Sequence, residues 1–316
     1  MTSNVAASVR ARLTNRAKAS QRPFQEVLQH YGLERLLYRL AQSMHRSRFL
    51  LKGALLLNAW NAPASRPTRD IDLLSFAEND VALMETMFRE VCQTGVVDDG
   101  MRFDAATLEG RRIKEDADYQ GVRLTFVAFL EKARIPMQVD IGFGDVVNPA
   151  AEERDYPTLL EFPAPHLRMY PRETVVAEKF EAMVQLGTLN TRMKDFFDLW
   201  LLASQFDFTG PELAQAIAKT FANRGTALTT EPAALSADFM AAETTRNNGP
   251  HERQSSEGCD PTSLAERRVV ELAVGLGDRT EDAERLEELA ASNEDEAEGR
   301  KRSSLSDHKK NRGQHR

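Results

Sequence analysis

The stretch "RPTRDIDLL", residues 66–74, sets two aspartates one residue apart inside a run that otherwise reads as a hydrophobic strand. Successive side chains of a strand point to opposite faces, so Asp70 and Asp72 share one face while Ile71 and Leu73 share the other. Two carboxylates held side by side repel, and a cation between them removes the conflict. Mg²⁺ suits such a pair, because it is a hard ion bound through one or two carboxylates together with substrate phosphates and water. Just upstream, "FLLKGALLLNAW" reads as an apolar strand, a glycine at Gly53 and a short helix. A glycine at that point lets backbone N–H groups come close to a phosphate, and the positive end of the helix favours an anion. Lys52, just before it, adds a point charge.

A third carboxylate comes downstream. "GVRLTFVAFL" and "IPMQVDIGFGD" are two strand-like runs joined by the polar turn "EKAR", which predicts a hairpin. On its second strand Met137, Val139 and Ile141 face one way, and Gln138, Asp140 and Gly142 the other. If that strand lies beside "RDIDLL", Asp140 completes a triad of acids. Two metal ions bridged by such acids could clamp both the attacking hydroxyl and the leaving oxygens of a phosphoryl-type transfer. A solvated strand end is the bland alternative for a bare aspartate pair, and the elements around the acids decide between the two.

Those elements fall into zones. Over residues 8–46 the spacing of Phe24, Val27, Leu28 and Tyr31, then of Leu33, Leu36, Leu37, Leu40 and Met44, predicts two packed helices. Residues 49–145 mix helices and strands. From residue 171 to about 221 the helical period returns. "PRETVVAEKFEAMVQLG" has Pro171 near its start and Gly187 beyond its end, with Val176, Phe180, Met183 and Val184 predicted on one buried face. "TRMKDFFDLWLLASQF" repeats the pattern with Met193, Phe197, Trp200 and Leu201 predicted buried and Asp195 and Asp198 on its flanks. After Phe239 there is no Phe, Tyr or Trp, and the polar composition predicts a largely disordered tail with at most a short helix over residues 264–289. The domain reading is therefore 1–48 basic helices, 49–165 acid-bearing core, 166–240 helical region and 241–316 tail.

Composition narrows the class. The net charge of −7 argues against a general nucleic-acid binder, but the charge is uneven. Up to residue 50 only Glu26 and Glu34 are acidic, against Arg10, Arg12, Arg16, Lys18, Arg22, Arg35, Arg39, Arg46 and Arg48, a basic segment that could contact phosphates. Cys92 and Cys259 fit no metal-ligand spacing or disulfide framework. No apolar stretch reaches the roughly 20 residues of a membrane span, and no leader pattern opens the chain, so a cytoplasmic location is expected.

In order, "LLKGALLL", "RPTRDIDLL", "QVDIGFGD", "ETVVAEKFEAMVQLG" and "RMKDFFDLWLL" resemble the nucleotidyltransferase AbiEii/AbiGii toxin family of type IV toxin–antitoxin systems, over residues 4–239. The resemblance implies an α+β, polymerase-beta-type nucleotidyltransferase fold, with a small mixed sheet flanked by helices and a helical C-terminal half. It implies Asp70 and Asp72 as metal ligands and catalytic residues, with Asp140 matching the acid of the "VDI" strand as a further metal ligand. Lys52 near Gly53 would bind a nucleotide phosphate, and Arg66 and Thr68 would brace that loop or touch phosphate. Lys179 would hold the triphosphate, and Asp195 matches a further acidic active-site residue. Ala54 stands where the wider superfamily carries a serine. Implied with these are one or two Mg²⁺ ions, an NTP substrate, an acceptor such as the tRNA 3′ end or another RNA, and an AbiEi-type antitoxin encoded nearby that forms no stable complex. A small-molecule nucleotidyltransferase of the antibiotic-modifying kind, and an NTP-binding protein without turnover, are the alternatives.

Overall fold

The computed structural model describes residues 4–62, 68–114, 120–187 and 193–228, so Arg66 and the predicted tail lie outside the described residues. The chain divides into two compact units, Met1–Pro171 and Arg172–Arg316. In the first, α1 (Val5–Ser20) and α2 (Phe24–Gln42) precede β1 (Phe49–Lys52), α3 (Leu55–Ala59), β2 (Ile71–Ser75), α4 (Val81–Gln93), β3 (Met101–Lys114), β4 (Gln120–Leu130), β5 (Ala133–Phe143), β6 (Glu152–Asp155) and β7 (His166–Met169). The strands form one mixed sheet in the order β3-β4-β5-β2-β1-β7-β6. The α+β class and the mixed sheet expected from the sequence are both present.

Alternation along β2 and β5 sets the two faces. Ile71, Leu73, Met137, Val139 and Ile141 are buried, and Met137 meets α2 at Gly32. The predicted hairpin is β4–β5, antiparallel and closed at Leu130↔Ala133, with Glu131 at φ 52° in its turn. β5 then lies parallel to β2 in the register Ile71↔Val139, Asp72↔Asp140 and Leu73↔Ile141. The strand carrying the third acid is thus the immediate neighbour of the strand carrying Asp72.

Helix α2 also fixes the backbone beside the acids. Gln29, nearly buried, donates from Nε2 to the carbonyl of Arg69 at 3.3 Å and to that of Pro136 at 2.9 Å. One amide therefore ties the residue before Asp70 to the start of β5. Gln29→Leu leaves both carbonyls without this donor, so it is expected to lower stability by about 1–3 kcal/mol, read from chemical unfolding.

Two arginines of the basic segment turn inward instead. Arg39 grips Asp99 with two hydrogen bonds at 2.7 and 3.0 Å, and Arg35 is buried beside Glu34 at 3.0 Å. A buried charge needs a partner, and these have one. Arg10, Arg12, Arg22 and Arg46 pair with Glu131, Glu161, Glu26 and Glu153. Charge counted along the chain overstated the open positive surface.

In the second unit, α5 (Arg172–Leu186), α6 (Met193–Gln205) and α7 (Gly210–Arg224) are described. Here the buried faces match the periodic expectation in part: Val176, Met183 and Leu201 are buried, whereas Phe180, Val184, Phe197 and Trp200 are half-buried. On α5 the buried residues include Val175, Val176, Glu181, Ala182 and Met183, while Phe180 and Val184 are half-buried and Phe180 meets Phe221. On α6 the buried residues include Asp195, Phe196, Asp198, Leu199 and, as predicted, Leu201, while Phe197 and Trp200 are half-buried with their rings tilted against each other; the side chain of Met193 lies outside the described residues. The added feature is electrostatic: Asp195, Asp198 and Glu181 are buried because Lys179 and Arg224 pair with them, which an apolar period does not register. Glu181 takes Arg224 at 2.8 Å and also the Thr226 hydroxyl. Among the described residues no helix is long and apolar enough to cross a membrane.

Candidate active site

The register places four charged side chains in one row across the sheet. Lys52 of β1 lies opposite Asp72 of β2, Asp72 opposite Asp140 of β5, and Asp140 opposite Arg123 of β4. Asp70, two residues before Asp72, projects beside them. One carboxylate oxygen from each of Asp70, Asp72 and Asp140 lies within 4.8 Å of the other two. The sequence-predicted triad is therefore brought together by the fold.

Each acid has a distinct hold. The Thr68 hydroxyl donates to Asp70 Oδ1. Asp72 rests against Gly53, where a Cβ would stand 1.9 Å from Asp72 Oδ2 and where φ is +74°. The glycine is required here by both the backbone conformation and the carboxylate that occupies the side-chain space. Asp140 is gripped from β4: Arg123 donates from Nε to Oδ1 and from one terminal nitrogen to Oδ2, both at 2.7 Å, and Gln138 Nε2 donates to Oδ2 at 3.1 Å. Hydrogen bonding to Asp140, reinforced by the charges of Asp140, Asp70 and Asp72, holds the Arg123 guanidinium above its ordinary pKa despite partial burial. Lys52 donates to Asp145 Oδ2 at 2.8 Å.

Arg123 and Asp145 are the site residues that the motif reading did not single out. The signal for Arg123 was available, since it is the one charge inside the apolar run "GVRLTFVAFL". For Asp145 the sequence offered only its place at the end of "DIGFGD", and the ion pair with Lys52 arises from tertiary placement.

The donor set suits a hard divalent ion. Three carboxylates converge, and oxygen-only ligation favours Mg²⁺, Mn²⁺ or Ca²⁺ over softer metals. The three carboxylates lie close enough together for one such ion to draw on all of them. Beside the acids, a cavity of about 520 Å³ is lined by Arg16, Arg22, His30, Asn58 and Thr68 among others. Thr68 borders both this cavity and Asp70. Burial, helped by the Arg22 charge, pushes the His30 pKa down to about 4, so its ring stays neutral at ordinary pH.

In the second unit Lys179 lies between two buried acids, bonded to Asp195 Oδ1 at 2.8 Å and Asp198 Oδ2 at 2.9 Å. Burial opposes its charge, but the two aspartates outweigh that and hold its pKa above the ordinary value. Lys179 and Asp195, predicted separately as site residues, are direct partners.

A family model described as the nucleotidyl transferase AbiEii toxin of type IV toxin–antitoxin systems matches residues 35–268, most of the chain. It starts later and ends further on than the motif-based span. Among solved structures, JHP933 from Helicobacter pylori is similar at 15% identity and a TM-score of 0.44, covering 82% of this chain and 92% of that one. A second chain from H. pylori, provisionally assigned as a nucleotidyltransferase, is similar at 17% identity and a TM-score of 0.43, covering 83% and 96%. No curated protein matches the sequence. The functional assignment rests on the family match and not on these distant structural likenesses.

Proposed function

Since the chain belongs to the AbiEii nucleotidyl transferase toxin family and is thereby a nucleotidyltransferase, we propose that it transfers a nucleoside monophosphate from an NTP to an RNA hydroxyl, with the tRNA 3′ end as acceptor. The observation that supports this most is the convergence of Asp70, Asp72 and Asp140 on one face of the sheet. In the proposed reaction the acceptor oxygen bonds to the α-phosphorus as the bond to the pyrophosphate bridging oxygen breaks, and the hydroxyl proton is lost to water. A bound Mg²⁺ supplies charge neutralisation at the α-phosphate and lowers the pKa of the acceptor hydroxyl.

The chain's own residues do the positioning. Asp70 and Asp72 hold the ion, with Asp140 offering a further oxygen. Lys52, Arg66 and Thr68 serve the phosphates around Gly53, and Lys179, kept charged by Asp195, acts on the triphosphate. The cavity beside Thr68 has Arg16 and the Arg22–Glu26 pair on its wall, and Arg16 supports the reading that it takes a phosphate of a polynucleotide acceptor. The proposed role in the cell is that of the toxin of a type IV pair, acting in the cytoplasm. Its antitoxin would be an AbiEi-type protein encoded nearby that forms no stable complex with it.

The test is incubation of the purified full-length protein with Mg²⁺, total tRNA and each of the four α-labelled NTPs in turn, beside Asp70→Ala. Label on tRNA is expected with at least one NTP and is expected to vanish in the variant. No label on tRNA from folded protein with any NTP would overturn the RNA acceptor, and label on a small aminoglycoside-type acceptor instead would move the assignment to the antibiotic-modifying class.

A further inference from the structure

The cavity beside Thr68 joins two kinds of chemistry on one wall. Resting on the reading of the acceptor as an RNA end, we propose that this cavity seats the terminal base of the acceptor strand, with His30 and Asn61 reading the base and Arg16 holding the phosphate before it.

The lining separates neutral hydrogen bonding from charge. Its volume of about 520 Å³ falls in the range of small-ligand pockets. Tyr156, fully buried, stacks on His30 with ring centroids 6.1 Å apart, and its hydroxyl lies 3.4 Å from His30 Nε2. This contact fixes the imidazole and leaves Nδ1 without a partner among the described residues. The ring is neutral, because burial pushes its pKa down to about 4. A neutral imidazole offers one donor and one acceptor, which suits the uncharged edge of a base rather than a phosphate. Asn61, exposed just beyond α3 at φ 56°, also has an amide without a partner among the described residues. An amide sets a donor and an acceptor side by side, the pattern with which asparagine pairs with a base edge.

Position and charge point to a strand end. Thr68 borders the cavity and donates its hydroxyl to Asp70, so a base seated here brings its own sugar hydroxyl towards the acids. On the same wall the Arg22–Glu26 pair is neutral as a unit, which leaves Arg16 as the net charge of the lining. One turn earlier on the same face of α1, Arg12 is held only by the exposed Glu161 at 4.0 Å, a contact that a phosphate can replace. Two arginines a turn apart suit successive phosphates of a strand. The triphosphate of the donor nucleotide has its own proposed place at Lys52 and Gly53, so this second track belongs to the acceptor.

The experiment measures binding of full-length protein to fluorescein-labelled RNA stem-loops by fluorescence anisotropy, without NTP or metal. The stem-loops are identical except for the last base of a single-stranded 3′ overhang, which is A, C, G or U. The wild type is expected to bind its preferred end about 10-fold or more tighter than its worst, because a mismatched base leaves polar groups of the wall unpaired. His30→Ala is expected to bring the four ends within about threefold of one another. Asn61→Gly, which suits the positive φ and so keeps the fold, is expected to shrink the preference at least about threefold. Arg16→Gln is expected to weaken all four ends alike and to lower the salt slope by about one.

A wild type that binds the four ends within about twofold of one another, or binds none, overturns the proposal whether or not the variants fold. So does either base-wall variant of native circular dichroism that keeps the wild-type preference, and so does an Arg16→Gln protein that changes preference instead of affinity. Displacement of the RNA end by metal-free NTP, lost in His30→Ala, would give the cavity to the donor nucleotide and would also overturn it. An intact end preference without any transfer to tRNA would count against the acceptor reading alone. Transfer to tRNA by a protein with no end preference would count against this inference alone.

Discussion

Asp70→Asn is expected to abolish transfer and yet, in metal-free buffer, to give a more stable protein. The substitution is nearly isosteric and retains the oxygen that accepts the Thr68 hydroxyl. What it removes is one of three negative charges whose oxygens sit within 4.8 Å of one another. Relief of that repulsion is expected to be worth roughly 1 kcal/mol, or about 2–4 °C in Tm for a protein of this size. On the proposed metal role, added Mg²⁺ is expected to stabilise the wild type by mass action and to leave the variant's Tm almost unmoved. Activity should fall by about 10³-fold or more, beyond the 10- to 100-fold of losing an outer-shell group, if Asp70 is the direct ligand proposed above. Thermal melts in EDTA and in Mg²⁺, beside a transfer assay, read all three effects. A variant less stable than the wild type in EDTA would show that Asp70 is held by favourable contacts rather than against repulsion.

Gly53→Ala is expected to cost both stability and activity, for two separable reasons. At φ +74° an alanine is strained by about 1–2 kcal/mol, and its Cβ would stand 1.9 Å from Asp72 Oδ2 and 2.6 Å from Cγ. The carboxylate must move, and a displacement of about 1 Å at a reacting centre can cost on the order of 10²-fold in rate. Gly225 separates the two effects. It ends α7 at φ +68° with nothing within 4 Å of a built Cβ. Gly225→Ala should therefore show the strain alone, with lowered Tm and unchanged turnover per folded molecule. Equal activity losses in the two variants would refute the collision as the cause.

What was legible in the sequence was whatever depends on alternation and on local turns. The faces of β2 and β5 and the β4–β5 hairpin come from period two and from one short polar turn, whereas the pairing of Asp140 with Asp72 stood only as a condition until the fold supplied it. The glycine at 53 was legible as a position of importance, though its cause in this structure is the Asp72 side chain. Illegible were the partners of buried charges. Nothing local says that Arg39 meets Asp99 or that Lys52 meets Asp145, because each pair joins distant segments. The burial of acids on α5 and α6 was illegible for the same reason. A hydrophobic period treats Asp195, Asp198 and Glu181 as surface markers, whereas Lys179 and Arg224 allow them to be buried.

The parallel pairing of β2 with β5 also orders events during synthesis. Between Asp72 and Asp140 the chain must make α4 and two long strands before β5 can close against β2. Such a contact is non-local, and it forms only after the intervening loop entropy has been overcome. At about 5–20 residues per second, the ribosome takes roughly 3–14 s to travel from the first strand of acids to the second. Throughout that interval a nascent chain holds Asp70 and Asp72 without their third member. On the proposed function, a toxin is thus assembled with its acid triad incomplete until most of its first unit has been made.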